Sequence, residues 1–198
     1  MITIIDYGAG NLFSVQNALK FLGIDFKVSA QKEDLINADK LILPGVGAFP
    51  DAMKKLSQTG LVDVIKQEAD KKPLLGICLG MQMLFDKGFE FEETEGLGLI
   101  GGTVELMKPQ GLVVPHMGWN SLEFNTPCAL LDGIDDGAYV YFVHSYAAKC
   151  DSADVSAYSN YGGQVTAMVS RGNVYGCQFH PEKSGETGLK ILKNFAAL

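Results

Sequence analysis

Hydrophobic residues in the first half of the chain form short continuous runs that alternate with runs of helical spacing. The short runs predict strands and the spaced runs predict helices. Strands are expected at residues 1–6, 25–29, 40–43 and 74–78. Helical segments are expected up to Gly23, as a short helix or loop at 31–38, over residues 51–72, and after residue 78 as far as residue 85. This alternation predicts a parallel α/β unit.

The pattern changes from Gly101 onward, where apolar and polar residues alternate over short segments separated by turns. Strands are expected at residues 103–107, 119–124, 138–143, 155–159, 164–170 and 174–179, followed by a closing helix over 186–198. Residues 86–98 are rich in acidic residues and glycine, and we expect a solvated loop there without a site. We therefore expect residues 1–198 to form a single α/β domain whose second half adds antiparallel strands to the same core.

Composition narrows the classes of function. The formal net charge is −7, which argues against nonspecific nucleic-acid binding, and no apolar run is long enough to cross a membrane. The apolar residues 1–5 are followed directly by Asp6, so they fit a first strand better than the longer apolar region of a secretion signal. We therefore expect a cytoplasmic location. The four cysteines lack the spacing of a metal site, and we expect no metal.

Cys78 lies where the fourth strand meets a helix, with Gly76 before it and Gly80 after it. This is the form of a nucleophile elbow with sulfur in place of the usual hydroxyl. A helix N-terminus favours the thiolate, and the backbone N–H of Leu79 could then donate to an oxyanion. A cysteine among apolar residues is more often a small buried hydrophobe, which is our interpretation of Cys128, Cys150 and Cys177.

A second loop could also supply an oxyanion donor. Gly45, Val46 and Gly47 follow the third strand, and the two glycines allow the peptide planes around Val46 to reorient at little steric cost. An ordinary strand-to-helix connection explains this segment equally well.

A cysteine nucleophile needs a base, and the chain has three histidines, His116, His144 and His180. His180 follows an apolar strand, and Glu182 lies two residues further on, on the same side of an extended segment. Pro181 stiffens the link between them. Cys78, His180 and Glu182 therefore form a candidate Cys-His-Glu triad.

These motifs resemble those of the class I (triad-type) glutamine amidotransferases and, within that class, those of the glutaminase subunits of imidazole glycerol phosphate synthases. The matching segments span the chain from the first strand to the last helix: residues 5–12 (IDYGAGNL), 44–49 (PGVGAF), 76–82 (GICLGMQ), 115–120 (PHMGWN), 141–146 (YFVHSY) and 176–184 (GCQFHPEKS).

The resemblance implies a flavodoxin-like, mostly parallel sheet with helices on both faces. It implies that the protein hydrolyses L-glutamine and passes ammonia to a (β/α)8-barrel cyclase subunit (HisF-type) in a heterodimer of histidine biosynthesis. No cofactor is implied. Gln82 and the backbone of Ser145 and Tyr146 would hold glutamine. The partner face would comprise Asn11, Trp119, Asn120, Tyr139, Tyr141 and Lys183.

Glutaminase activity in this family is low until the partner carries its substrate. Our hypothesis is that the carbonyl of the Val46 peptide, and not an N–H, points into the oxyanion hole at rest. Three other functions stay open: the glutaminase of another class I amidotransferase, a free-standing cysteine hydrolase of γ-glutamyl substrates, and a non-catalytic module on the same sheet.

Overall fold

The computed structural model describes residues 1–198, which form one large sheet, two small sheets and six α-helices. The helices are α1 (Leu12–Phe21), α2 (Lys32–Ile36), α3 (Phe49–Gln58), α4 (Val62–Ala69), α5 (Leu79–Gln82) and α6 (Gly185–Ala197). The strands are β1 (Ile2–Ile5), β2 (Phe26–Ser29), β3 (Lys40–Gly45), β4 (Leu74–Cys78), β5 (Phe85–Gly88), β6 (Thr94–Glu95), β7 (Ile100–Leu106), β8 (His116–Ser121), β9 (Glu123–Phe124), β10 (Tyr139–His144), β11 (Tyr146–Lys149), β12 (Val155–Asn160), β13 (Gln164–Arg171) and β14 (Val174–Cys177). None of the helices is long and apolar enough to span a membrane.

The large sheet has the strand order β2-β1-β3-β4-β14-β13-β12-β9. Its first five strands are parallel, and the last three continue it in antiparallel pairing. The five parallel strands thus follow the order of flavodoxin-like sheets, in which the chain winds outward in both directions from its first strand. A parallel unit extended by antiparallel strands is what the hydrophobic pattern predicts.

Helices cover both faces of the parallel strands. Side chains of α1 and α6, such as Leu19 and Phe195, share one core cluster with Ile4 and Ile77. Side chains of α2, α3 and α4 share the other cluster with the opposite sides of β1, β3 and β4. Both sides of these strands are therefore buried, which explains why their sequences are continuously apolar.

The structure differs from the sequence-based prediction in four details. The helical region 51–72 is two helices, because the chain turns at Gly60, whose φ is +68°. The helix after Cys78 is a single turn, α5, and Phe85 already begins β5. The expected loop 86–98 contains most of β5 and all of β6, which pair with each other and, through β5, with β7. A strand at β11 was not predicted.

Three neighbouring strands end at the same edge of the sheet. Gly45 at the end of β3 lies beside Cys78 at the end of β4, and Ile77 pairs with Cys177 at the end of β14. Open α/β sheets bind ligands at this carboxyl edge. The candidate site residues that follow these strands are brought together there.

Candidate active site

Cys78 occupies a strained turn between β4 and α5, with φ +55° and ψ −113°. A non-glycine residue at positive φ costs on the order of 1–3 kcal/mol and persists only where the surroundings enforce it. The flanking glycines provide the space. A Cβ on Gly80 would lie 1.9 Å from the Leu43 carbonyl oxygen, and one on Gly76 would lie 2.7 Å from the Gly80 oxygen. The elbow helix therefore rests directly on the backbone of the sheet.

The loop after β3 is fixed at both ends and open in the middle. The Tyr7 hydroxyl donates to the Pro44 carbonyl at 2.9 Å, and the Phe49 N–H donates to Glu90 Oε2 at 2.7 Å. Between these anchors Val46 is 44% exposed, and Gly47 adopts φ +98°. This segment borders the pocket at Cys78.

Gly45 and Gly47 are glycines for different reasons. A Cβ on Gly45 would lie 2.5 Å from the Gly80 nitrogen, whereas one on Gly47 would meet no atom within 4 Å. Gly45 is required by close packing, and Gly47 by its backbone conformation.

His180 lies between Cys78 and Glu182. Its Nδ1 is 2.8 Å from Glu182 Oε1, and its side chain borders the same pocket as Cys78. Burial lowers the pKa of His180, but the hydrogen bonds and charges of Cys78 and Glu182 together outweigh burial and raise that pKa to about 9. The imidazolium form is thus favoured beside the sulfur.

The backbone around His180 is tied to β10 through Ser184. The Ser184 hydroxyl donates to the His180 carbonyl at 2.7 Å and accepts from the Tyr141 N–H at 2.9 Å. The His180 N–H donates to the Tyr141 carbonyl at 3.0 Å. Sequence reasoning gave Ser184 no role, although it is the last residue of the motif at residues 176–184.

The other two histidines bond to each other. His116 Nδ1 is 3.1 Å from His144 Nε2, and His144 Nδ1 is 2.8 Å from the Tyr146 carbonyl oxygen. Because a carbonyl can only accept, His144 carries its proton on Nδ1, and His116 donates to it. Burial lowers the pKa of each to about 4, so both are neutral near pH 7. Of the three histidines, His180 is the one that pairs with a carboxylate, and it borders the pocket at Cys78.

A pocket of about 280 Å³ opens beside Cys78. Eight residues predicted for the site border it: Val46, Gly47, Cys78, Leu79, Gln82, Ser145, Tyr146 and His180. Three further residues border it that the sequence analysis did not assign to the site: Glu90, Val143 and His144.

Gln82 donates from Nε2 to the Tyr146 carbonyl and to Gln178 Oε1, each at 2.9 Å, which leaves its own oxygen as a free acceptor. Glu90 was missed because it lies in the segment taken for a solvated loop.

The residues that the resemblance assigned to a partner face lie at or near the surface. Tyr139 and Tyr141 point away from the core, while Val140 and Phe142 are buried, so the aromatic face of β10 is not core. Trp119 lies opposite Tyr141 in the β8–β10 ladder, with their rings edge-on at 6.2 Å.

The remaining three are distributed around this pair of strands. Asn120 on β8 is partly buried and donates to the Asn160 carbonyl. Lys183 is exposed beside Glu182, and Asn11 caps α1 by accepting from the Ser14 N–H. Helix α1, which Asn11 caps, contacts the turn Pro181–Lys183, which contains Lys183.

Comparison with known proteins agrees with this architecture. Residues 3–198 match the family described as glutamine amidotransferase class-I. The chain is 52% identical, over 200 residues, to the imidazole glycerol phosphate synthase subunit HisH of Caldanaerobacter subterraneus subsp. tengcongensis, covering 100% of this chain and 98% of that protein. It is 51% identical to the HisH subunit of Bacillus cereus (strain B4264), covering 98% and 93%.

Solved structures share the fold at lower identity. A glutamine amidotransferase crystal structure superposes with a TM-score of 0.76 at 23% identity, covering 100% of both chains. A chain in the structure of PurLQS from Thermotoga maritima gives 0.77 at 20% identity, covering 98% of this chain and 96% of that chain. The predicted α/β fold is confirmed. The chain belongs to the class-I glutamine amidotransferases and, within them, to the HisH subunits of imidazole glycerol phosphate synthase.

Proposed function

We propose that residues 1–198 act as one glutaminase domain that hydrolyses L-glutamine to glutamate and ammonia. One observation carries the proposal: a strained cysteine elbow meets a buried His180–Glu182 pair at the edge of a pocket of about 280 Å³. Cysteine, base and orienting carboxylate are the components of nucleophilic acyl transfer.

The reaction divides into two steps. Cys78 Sγ attacks the side-chain amide carbon of glutamine, and His180 gives its proton to the leaving nitrogen, so that ammonia departs and a thioester remains. His180 then takes a proton from water as the water attacks the thioester, and glutamate and the thiolate are released. The N–H of Leu79 and one from the Gly45–Gly47 loop stabilise the oxyanion in both steps.

Two groups of the pocket suit the amino-acid end of glutamine. The Glu90 carboxylate and the free oxygen of Gln82 are both acceptors, and an α-ammonium group is a donor with positive charge. The backbone at Ser145 and Tyr146 would line the same end. The Tyr146 carbonyl already accepts from Gln82 and His144, so it acts by orienting Gln82.

The chain would work as the glutaminase subunit of imidazole glycerol phosphate synthase in histidine biosynthesis, in the cytoplasm, like the HisH relatives that it matches at about half identity. A (β/α)8-barrel cyclase subunit would receive the ammonia in a heterodimer. The exposed aromatic residues Trp119 and Tyr139 support a protein partner on that face, because aromatic side chains are enriched at interfaces.

Glutamate release from glutamine tests the proposal. The purified chain should release little glutamate alone and much more with a barrel-type cyclase subunit and that subunit's ribotide ligand. A Cys78→Ser variant should lose at least about 1,000-fold of the activity under the same conditions. Full activity without the partner would instead favour a free-standing hydrolase, and an active Cys78→Ser variant would contradict the triad.

A further inference from the structure

Gln178 lies beneath the elbow, fully buried, one residue after the end of β14. Its side chain bridges two residues of the site. Its Nε2 is 3.9 Å from Cys78 Sγ, within hydrogen-bond range for sulfur, and its Oε1 accepts from Gln82 Nε2 at 2.9 Å. Gln178 lies within the motif at residues 176–184, but neither the sequence analysis nor the proposed chemistry gives its side chain a role.

The direction of this bridge is fixed by a backbone carbonyl. Gln82 must present Nε2 to the Tyr146 carbonyl, since a carbonyl oxygen only accepts. The same Nε2 also faces Gln178, so Gln178 must present its oxygen there. Its amide nitrogen is then turned to the sulfur. Reversing the Gln178 amide would place two donors against each other in a buried site.

We propose that Gln178 is a catalytic residue that donates an amide N–H to the Cys78 thiolate, and that Gln82 and the Tyr146 carbonyl hold it in that orientation. The assignment of a catalytic role rests on the proposed glutaminase function. Buried anions need donors, and Cys78 is only 7% exposed. His180 supplies one donor, but it loses that proton when ammonia leaves. The amide of Gln178 keeps its protons throughout, so it solvates the thiolate both when the thiolate attacks and when water displaces it from the thioester.

The pH dependence of Cys78 alkylation by iodoacetamide tests the proposal, because only the thiolate reacts. The alkylated Cys78 peptide is quantified by mass spectrometry, so the other three cysteines do not interfere. In Gln178→Met, which keeps the length and removes the donor, the midpoint of the profile should move up by about one pH unit. The rate at the foot of the profile should fall about tenfold, with an unchanged plateau at high pH.

Two more variants separate this role from simple space filling. Gln178→Glu places a carboxylate beside the sulfur and should move the midpoint further in the same direction. Gln164→Met makes the same change at an exposed glutamine of β13 and should leave the profile unchanged. A folded Gln178→Met protein with the wild-type midpoint would overturn the proposal.

A measurement on the unaltered protein guards against variants that do not fold. The side-chain amide resonances of Gln178 should titrate with the same midpoint as Cys78 alkylation, and this titration should be absent in Cys78→Ser. Resonances that do not respond to pH would also overturn the proposal. Since neither readout uses glutamine, a chain without glutaminase activity could still pass both tests, and the proposed function would then fail alone.

Discussion

At the scale of single residues, the site depends on the charge of one histidine. His180 is only 2% exposed, and it is held between the sulfur of Cys78 and the carboxylate of Glu182. Its pKa rises from 6.5 in the unfolded chain to about 9 in the folded protein. A raised pKa means that the folded state binds the proton more tightly, so protonation of His180 stabilises the fold.

Glu182→Gln should therefore lower stability in a pH-dependent way. The stabilisation by protonated His180 is fully present below pH 6.5 and is lost as the pH rises through about 9. The free energy of unfolding should differ between wild type and variant by on the order of 2 kcal/mol at pH 6, and by less at pH 9.5. Urea denaturation at both values measures this, and a difference that grows with pH would contradict the assignment.

At the scale of elements, the elbow is a contact between backbones. Helix α5 touches β3 through Gly80 and Gly45, with no side chain between them. Such a contact cannot absorb an added methyl group, whereas the open loop around Gly47 can.

Two alanine substitutions compare the close backbone contact at Gly80 with the open loop at Gly47. Gly80→Ala should lower the free energy of unfolding by more than about 4 kcal/mol, because its Cβ would overlap the Leu43 carbonyl oxygen. Gly47→Ala meets no atom and should cost only the positive-φ strain, about 1–2 kcal/mol. Chemical denaturation gives both values, and equal losses would show that the close approach at Gly80 relaxes easily.

The sequence predicted helices and strands where the hydrophobic periodicity agreed with the positions of the glycine and proline residues that end such elements. The buried parallel strands, the glycine-flanked turn at Cys78 and the His180–Glu182 spacing all follow from local patterns. The small sheet that β5, β6 and β11 form with β7 does not, because those three strands have only two to four residues each and their pairing depends on distant segments. Glu90 and Gln178 were missed for the same reason: their roles come from contacts with Phe49, Gln82 and Cys78 far away in the chain.

At the scale of the whole molecule, the proposed partner face and the pocket share β10 and its neighbours. Trp119 and Tyr139 are 54% and 60% exposed on this face, so neither side chain is mainly part of the core. Large exposed aromatic side chains in one place are typical of a binding surface.

Trp119→Ala should weaken binding to a barrel-type cyclase subunit by at least about tenfold in Kd, since a central aromatic residue often contributes 2 kcal/mol or more. Phe21→Ala provides the matched control. Phe21 is 78% exposed at the C-terminal end of α1, whereas Asn11 caps the N-terminal end. Loss of the Phe21 side chain should leave Kd unchanged. Isothermal titration measures both, and a Trp119→Ala protein with wild-type affinity would remove Trp119 from the face.

The position of β14 in the sheet also determines when the site can form during synthesis. β14 follows all other strands in the chain, yet it is inserted between β4 and β13, and His180 comes directly after it. A nascent chain therefore carries the thiol of Cys78 about 100 residues before it carries the base. On the proposed mechanism, the growing polypeptide cannot hydrolyse glutamine, and ammonia production begins only when the sheet is complete.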